Sequence, residues 1–266
     1  MLPVPARPPE PSVASLRSSP GDGESLAKYW SFYRAVAAAQ LARWLPHRPS
    51  RILDISGGQS HSAQAAAAGH TVLGVRDPHL VAPPVNGNGR PPAPRPGAGT
   101  LRQIVADTGS LSFLADACVD AVVAEDRTLS RHLATESTIA EVARVLRPGG
   151  RVLLTVDSLT LGMALLAEQN CWAHLSDVPS AEVVLVPWPD GTITRCFWAD
   201  QLRELCTEAG LEVEWIRPRT ALSPSTVEHI LTASPRDLPR LVRTELSAPL
   251  LDESLGVHLL ASARRI

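Results

Sequence analysis

Between residues 51 and 157 the chain alternates short, almost continuously apolar runs with stretches of helical periodicity. The runs are RILDI, HTVLGVR, RQIVAD, DAVVAE and RVLLTVD. Runs of this length without polar alternation suit strands buried on both faces, which is the condition of a parallel sheet. SAQAAAAG and TESTIAEVARVL lie between them with helix-forming composition, and the second is stopped by RPGG. Strands alternating with helices predict a doubly wound α/β sheet, because each parallel connection must cross the sheet face. Further on, WADQLRELCTEAG reads as a helix, LEVEWIR as a strand, the stretch from Ser225 to Leu246 as helical, and GVHLLASAR as a final strand.

The flanks and one connection break this rhythm. Residues 1–23 are rich in Pro, Ser and Gly without apolar periodicity, so a disordered tail is expected there, followed by a single α/β domain over residues 24–266. From Glu24 a helix-forming stretch runs to Pro46, with Tyr29, Trp30, Phe32 and Tyr33 clustered in it. These rings either pack on the core or cover a ligand pocket. Residues 78–99 carry so much Pro and Gly that no crossover helix can form, and a long mobile loop is expected in its place.

Charge and composition exclude several functions. The formal net charge is −2 with both signs mixed along the chain, so no basic stripe is available for nucleic acid. Lys28 is the only lysine, which rules out a Walker-type phosphate loop. The four cysteines, Cys118, Cys171, Cys196 and Cys206, show no metal-binding or redox spacing, and free thiols without a metal site are expected. The start of the chain lacks a charged segment followed by an apolar one, and no apolar run has membrane-spanning length; a cytoplasmic protein without a membrane partner is expected, of undetermined oligomeric state.

In open parallel sheets ligands bind beyond the carboxyl ends of the strands. Here those ends carry Asp54 with Ser56, Gly57, Gly58 and Ser60, then Asp77, then Asp107 with Thr108. The helix after Gly58 would point its unsatisfied N–H groups at a ligand, and the glycines permit close backbone approach. Three acidic strand ends suit an adenosine ligand contacted through hydroxyls and amines. Each aspartate also has a plain reading as a turn or loop cap.

ILDISGGQSHSAQAAAAGHTVLGVRD resembles the first motif and following strand of the class I S-adenosylmethionine-dependent methyltransferases. VADTGSLSFLADACVDAVVAED is similar to their adenine-contacting segment and fourth strand, and IAEVARVLRPGGRVLLTV to their next helix, turn and strand. The resemblance implies a seven-stranded, mostly parallel, Rossmann-like sheet whose last strand is antiparallel. It also implies S-adenosyl-L-methionine as cofactor and methyl transfer to a small-molecule acceptor. By the same resemblance Asp54, Ser56, Gly57 and Gly58 would hold the methionine end, Asp77 the ribose, and Asp107 with Thr108 the adenine. The chain departs from the family pattern at Ser56 and Ser60, where glycines are usual, and at Arg76, which stands where the ribose-binding acid is usual. His132, after the fourth strand, is a candidate base or a surface histidine. Trp172, His174 and Trp198 fall near the expected acceptor pocket and are expected to be partly in the core. Two other readings stay open: a non-catalytic cofactor-binding or regulatory relative, favoured by the missing glycines, and a nicotinamide dehydrogenase, which Ser56 and Ser60 disfavour.

Overall fold

The computed structural model describes residues 13–16, 26–80, 99–188, 190–249 and 256–266. Among the described residues nine strands form one sheet. β1 (Arg51–Asp54), β2 (Thr71–Arg76), β3 (Thr100–Val105), β4 (Val119–Ala124) and β5 (Leu146–Ser158) are parallel in the order β3-β2-β1-β4-β5. β6 (Val184–Pro187) and β7 (Ile193–Phe197) form a hairpin, and β7 meets only the last two residues of β5. β9 (His258–Arg265) runs antiparallel between β5 and β8 (Leu211–Pro218). The seven expected strands are thus β1 to β5, β8 and β9, in a Rossmann-like α/β sheet, and the β6–β7 hairpin is an addition to them.

Side-chain alternation divides the core. Ile52, Ala121, Val123, Leu153 and Leu260 face α1 (Ala27–Trp44) and α2 (Gln59–Ala67), where Leu41, Trp44 and Ala65 cover them. Their sequence neighbours Leu53, Val122, Ala124, Val152 and Ala261 face the other way, against α4 (Thr135–Val145) and α7 (Ala199–Glu208) through Ile139, Val142, Leu202 and Leu205. This two-sided burial is why the strands read as continuous apolar runs. α4 ends where Leu146 turns extended, and near the start of β5 Gly149 takes a positive φ of 76°.

Other helices fill the remaining connections: α3 (Thr128–Arg131), α5 (Leu159–Glu168) and α6 (Trp172–Asp177). The expected helical stretch near the end of the chain is two helices, α8 (Pro224–Ala233) and α9 (Leu238–Ser247). They part at Ser234, which is extended because the following Pro235 excludes the α conformation. The expected tail and loop lie mostly outside the described residues. Within the tail, Val13–Leu16 forms a short 3-10 turn whose Val13 N–H donates to Glu168 at 3.1 Å. Trp172 and Trp198, expected partly in the core, are exposed, as is His174.

Candidate cofactor and acceptor site

The C-terminal ends of the strands gather most of the buried polar groups. Asp54 ends β1 and is buried; its Oδ1 accepts the Ser56 N–H at 2.9 Å and its Oδ2 accepts the Ser62 hydroxyl at 2.5 Å. The carboxylate therefore shapes the loop from both sides, pinning its entry and the first turn of α2. Ser56, standing where the family has glycine, uses its hydroxyl to accept the Glu125 N–H at 2.9 Å, which satisfies an otherwise orphaned donor at the end of β4. Gly57 has a φ of 78°, a conformation that a side chain disfavours. Gly58 begins α2 without any side-chain cap, and a Cβ there would stand 3.0 Å from Asp126 Oδ2. The uncapped N–H groups of α2 and the bare glycine backbone form a cradle for an anionic group.

At the ends of β2 and β3 the two aspartates stand in different surroundings. Asp77 is buried, its Oδ1 accepting the His79 N–H at 2.8 Å and its Oδ2 accepting both the N–H and the hydroxyl of Thr108 at 2.9 Å. Burial acts to raise its pKa, but these hydrogen bonds outweigh it and hold the carboxyl below its usual range. Asp77 thus ties β2 to the loop after β3, while Arg76 is the half-buried side chain beside Gly57, Gly58 and Gly74. Asp107 is exposed, with Oδ1 accepting the Gly109 N–H at 2.7 Å. His132 Nε2 lies 2.7 Å from the Thr108 hydroxyl, so the structure brings Asp77, Thr108 and His132 into one chain at the adenine-side strand ends.

A second polar group lies under α1 and was not found from sequence. Arg219, wholly buried after β8, pairs with Glu125 at the end of β4, meets the Thr155 hydroxyl, and donates to Gln40 Oε1 of α1 at 2.8 Å. Tyr33 of α1 hydrogen-bonds His258 Nδ1 at 3.1 Å, and His258 Nε2 stands 3.5 Å from Asp157 Oδ1 at the end of β5. Burial, reinforced by the positive charges of Arg127 and Arg219, pushes the His258 pKa well below 6.5, so the ring is neutral. Arg127 reaches Asp157 Oδ1 at 3.5 Å from a backbone with φ of 60°, and its neighbour Asp126 has φ of 56°. Two consecutive left-handed non-glycine residues are a strained arrangement of the kind concentrated at functional sites. Tyr29, Trp30 and Phe32 pack instead with Val227, Leu231 and Leu241 of α8 and α9, so most of the aromatic cluster is core.

The strand order agrees with comparison to known proteins. Residues 53–154 match the model of the family described as "Methyltransferase domain". The match runs from the end of β1 into β5. No curated protein matches the chain significantly in sequence. Among solved structures, a SAM-dependent methyltransferase from Methanosarcina mazei is 18% identical, with a TM-score of 0.54 over 85% of this chain and 97% of that one. A Burkholderia thailandensis 1,6-didemethyltoxoflavin-N1-methyltransferase, solved with bound 1,6-didemethyltoxoflavin and S-adenosylhomocysteine, is 20% identical, with a TM-score of 0.51 over 89% of this chain and 80% of that one. The 4+2 cyclase SpnF is 18% identical, with a TM-score of 0.51 over 93% of this chain and 84% of that one. The chain shares its overall fold with these solved structures. Among the described residues no helix is long and apolar enough to cross a membrane.

Proposed function

We propose that the chain transfers a methyl group from S-adenosylmethionine to a small-molecule acceptor. The observation that carries the reading is the pairing of two open ends within the methyltransferase domain: the uncapped start of α2 over Gly57 and Gly58, and the exposed Asp107 carboxylate beside Gly109. The first suits the methionine carboxylate and the second an adenine amino group. When bound, the cofactor supplies a methyl group already activated by the sulfonium. The protein's task is then to position the acceptor and exclude water. Asp54 and Ser56 shape the loop, and Gly57 and Gly58 admit the ligand backbone. Asp77 acts through Thr108, organising the adenine side, and does not itself meet the ribose. Tyr33, Arg127, Asp157 and His258 form the wall that an acceptor would meet beneath α1.

A cofactor-binding relative without transferase activity is the second reading, favoured by the engagement of Asp77 and by Arg76 in the place of the ribose acid. Formation of S-adenosylhomocysteine from S-adenosylmethionine, followed by chromatography across a panel of phenols, amines, thiols and carboxylic acids, separates the two. Acceptor-dependent product supports transfer; cofactor binding without product for any acceptor supports the second reading.

A further inference from the structure

We infer that the cavity bounded by α1, the end of β8 and α9 binds a short aliphatic carboxylate through Arg217. The inference goes beyond the methyl-transfer reading and does not rest on it.

The cavity forms where three elements meet. β8 ends in Arg217 and Pro218, α9 lies against α1, and Arg43 of α1 donates to the Leu246 carbonyl in α9 at 3.0 Å. Between them is a space of about 30 Å³ that opens to solvent and has room for about two water-sized atoms. Pro218, Ala221, Leu246 and Ala248 make most of its wall apolar. Gln40 also lines it, with its amide committed to Arg219: Oε1 accepts from the guanidinium at 2.8 Å and Nε2 donates to the carbonyl at 3.2 Å.

One charged group in this wall has no counterpart. Arg217 is half-buried, its guanidinium stacked over Trp215 with Cζ 4.5 Å from the ring centroid, which holds the fork in one orientation. Among the described residues no oxygen accepts a hydrogen bond from it and none forms an ion pair with it, and its Nε is buried. Glu245 lines the same cavity, but its Oε1 takes the Ala221 N–H at 2.6 Å and its Oε2 the Leu222 N–H at 3.1 Å. Burial, joined by the charges of Arg219 and Arg43 and opposed by Glu245, presses the Arg217 pKa below its usual value, as expected of a cation short of negative charge.

A guanidinium stays charged and has donors only, so what completes it is an acceptor carrying negative charge. Space and charge then narrow the class. Room for about two water-sized atoms matches the oxygens of a carboxylate and is too little for a phosphate. A dianion would also set its second charge against Glu245, whereas a monoanion is matched by the one unpaired guanidinium. The apolar wall suits a short hydrocarbon stem leading to the open side.

The test follows the Arg217 Nε–H resonance in nitrogen-15 correlation spectra of the full chain, assigned by its loss in Arg217→Lys, during titration with sodium butyrate, sodium phosphate and sodium chloride at matched ionic strength. Butyrate should move it along a saturating curve, phosphate should bind at least about tenfold more weakly, and chloride should leave it in place. The backbone N–H groups of Ala221 and Leu222, which Glu245 holds beside the cavity, should shift with butyrate in the wild type and stay in place in Arg217→Gln. No movement, or an equal and linear drift with all three salts, would overturn the inference, as would butyrate shifts that persist unchanged in Arg217→Gln. Tighter binding of phosphate than of butyrate would overturn the carboxylate class. Titration with S-adenosylhomocysteine, read at Gly57 and Gly58, tests the cofactor reading independently.

Discussion

Ser56 shows how a residue that breaks a family pattern can still be required where it stands. Its hydroxyl accepts the buried Glu125 N–H, so Ser56→Ala leaves that donor unpaired and should destabilise the protein by about 1–3 kcal/mol, read from urea unfolding. Gly58 makes the opposite case, because its φ of −86° would tolerate any residue and only space forbids a side chain. The atom a Cβ would meet is the carboxylate tip of the exposed Asp126, which can move. Gly58→Val should therefore fold with nearly wild-type unfolding free energy, yet abolish stabilisation by S-adenosylhomocysteine, because the branched side chain projects from the cradle. Gly74 carries a different constraint: a Cβ there would meet Ser62 Oγ at 2.8 Å, displacing the hydroxyl that holds Asp54.

At the scale of elements, α1 is fastened to the strand ends by Gln40 on Arg219, Tyr29 on Thr220 and Tyr33 on His258. Removing one member of the buried Arg219–Glu125 pair leaves a charge without a partner, so Glu125→Ala should cost about 3–5 kcal/mol, whereas Glu125→Leu with Arg219→Met should cost less than the sum of the single losses. Acidification tests the same region. His258 has a folded-state pKa below its unfolded value of 6.5, so the unfolded chain takes up the proton first and stability falls as pH drops below that value. Each pH unit within the window removes about 1.4 kcal/mol per such histidine, and His258→Gln should flatten the decline seen in unfolding experiments between pH 7.5 and 5.5. Asp77 is depressed as well, but its stabilisation persists at these pH values and is lost only below its usual value of 3.8, as pH falls toward its folded-state pKa.

For the whole molecule, the parts legible in the sequence were those whose signal is local. Buried parallel strands such as Ile52 to Leu53 and Val122 to Ala124 read as apolar runs because both faces are covered, and the Gly57–Gly58 turn announced the first strand end. The β6–β7 hairpin went unread although Asp190 and Gly191 mark a turn, because one of its faces is solvated and Leu185 and Ile193 sit exposed where alternation would place polar residues. The acceptor-side group was illegible for another reason: Tyr33, Glu125, Asp157, Arg219 and His258 come from five elements, and only the sheet topology brings them together. Asp77 was located by its strand end, but its partner Thr108 lies 31 residues away, so its engagement could be seen only in three dimensions. All of these features converge on whether the modified loop after β1 still holds an adenosyl cofactor. The most direct measurement is the melting temperature of the intact protein with and without saturating S-adenosylhomocysteine. Ligand at a hundred times its dissociation constant adds about 2.7 kcal/mol, a rise of roughly 5–10 °C for a chain of this size. A rise of that order is predicted, and an unchanged melting temperature at millimolar ligand would contradict the account.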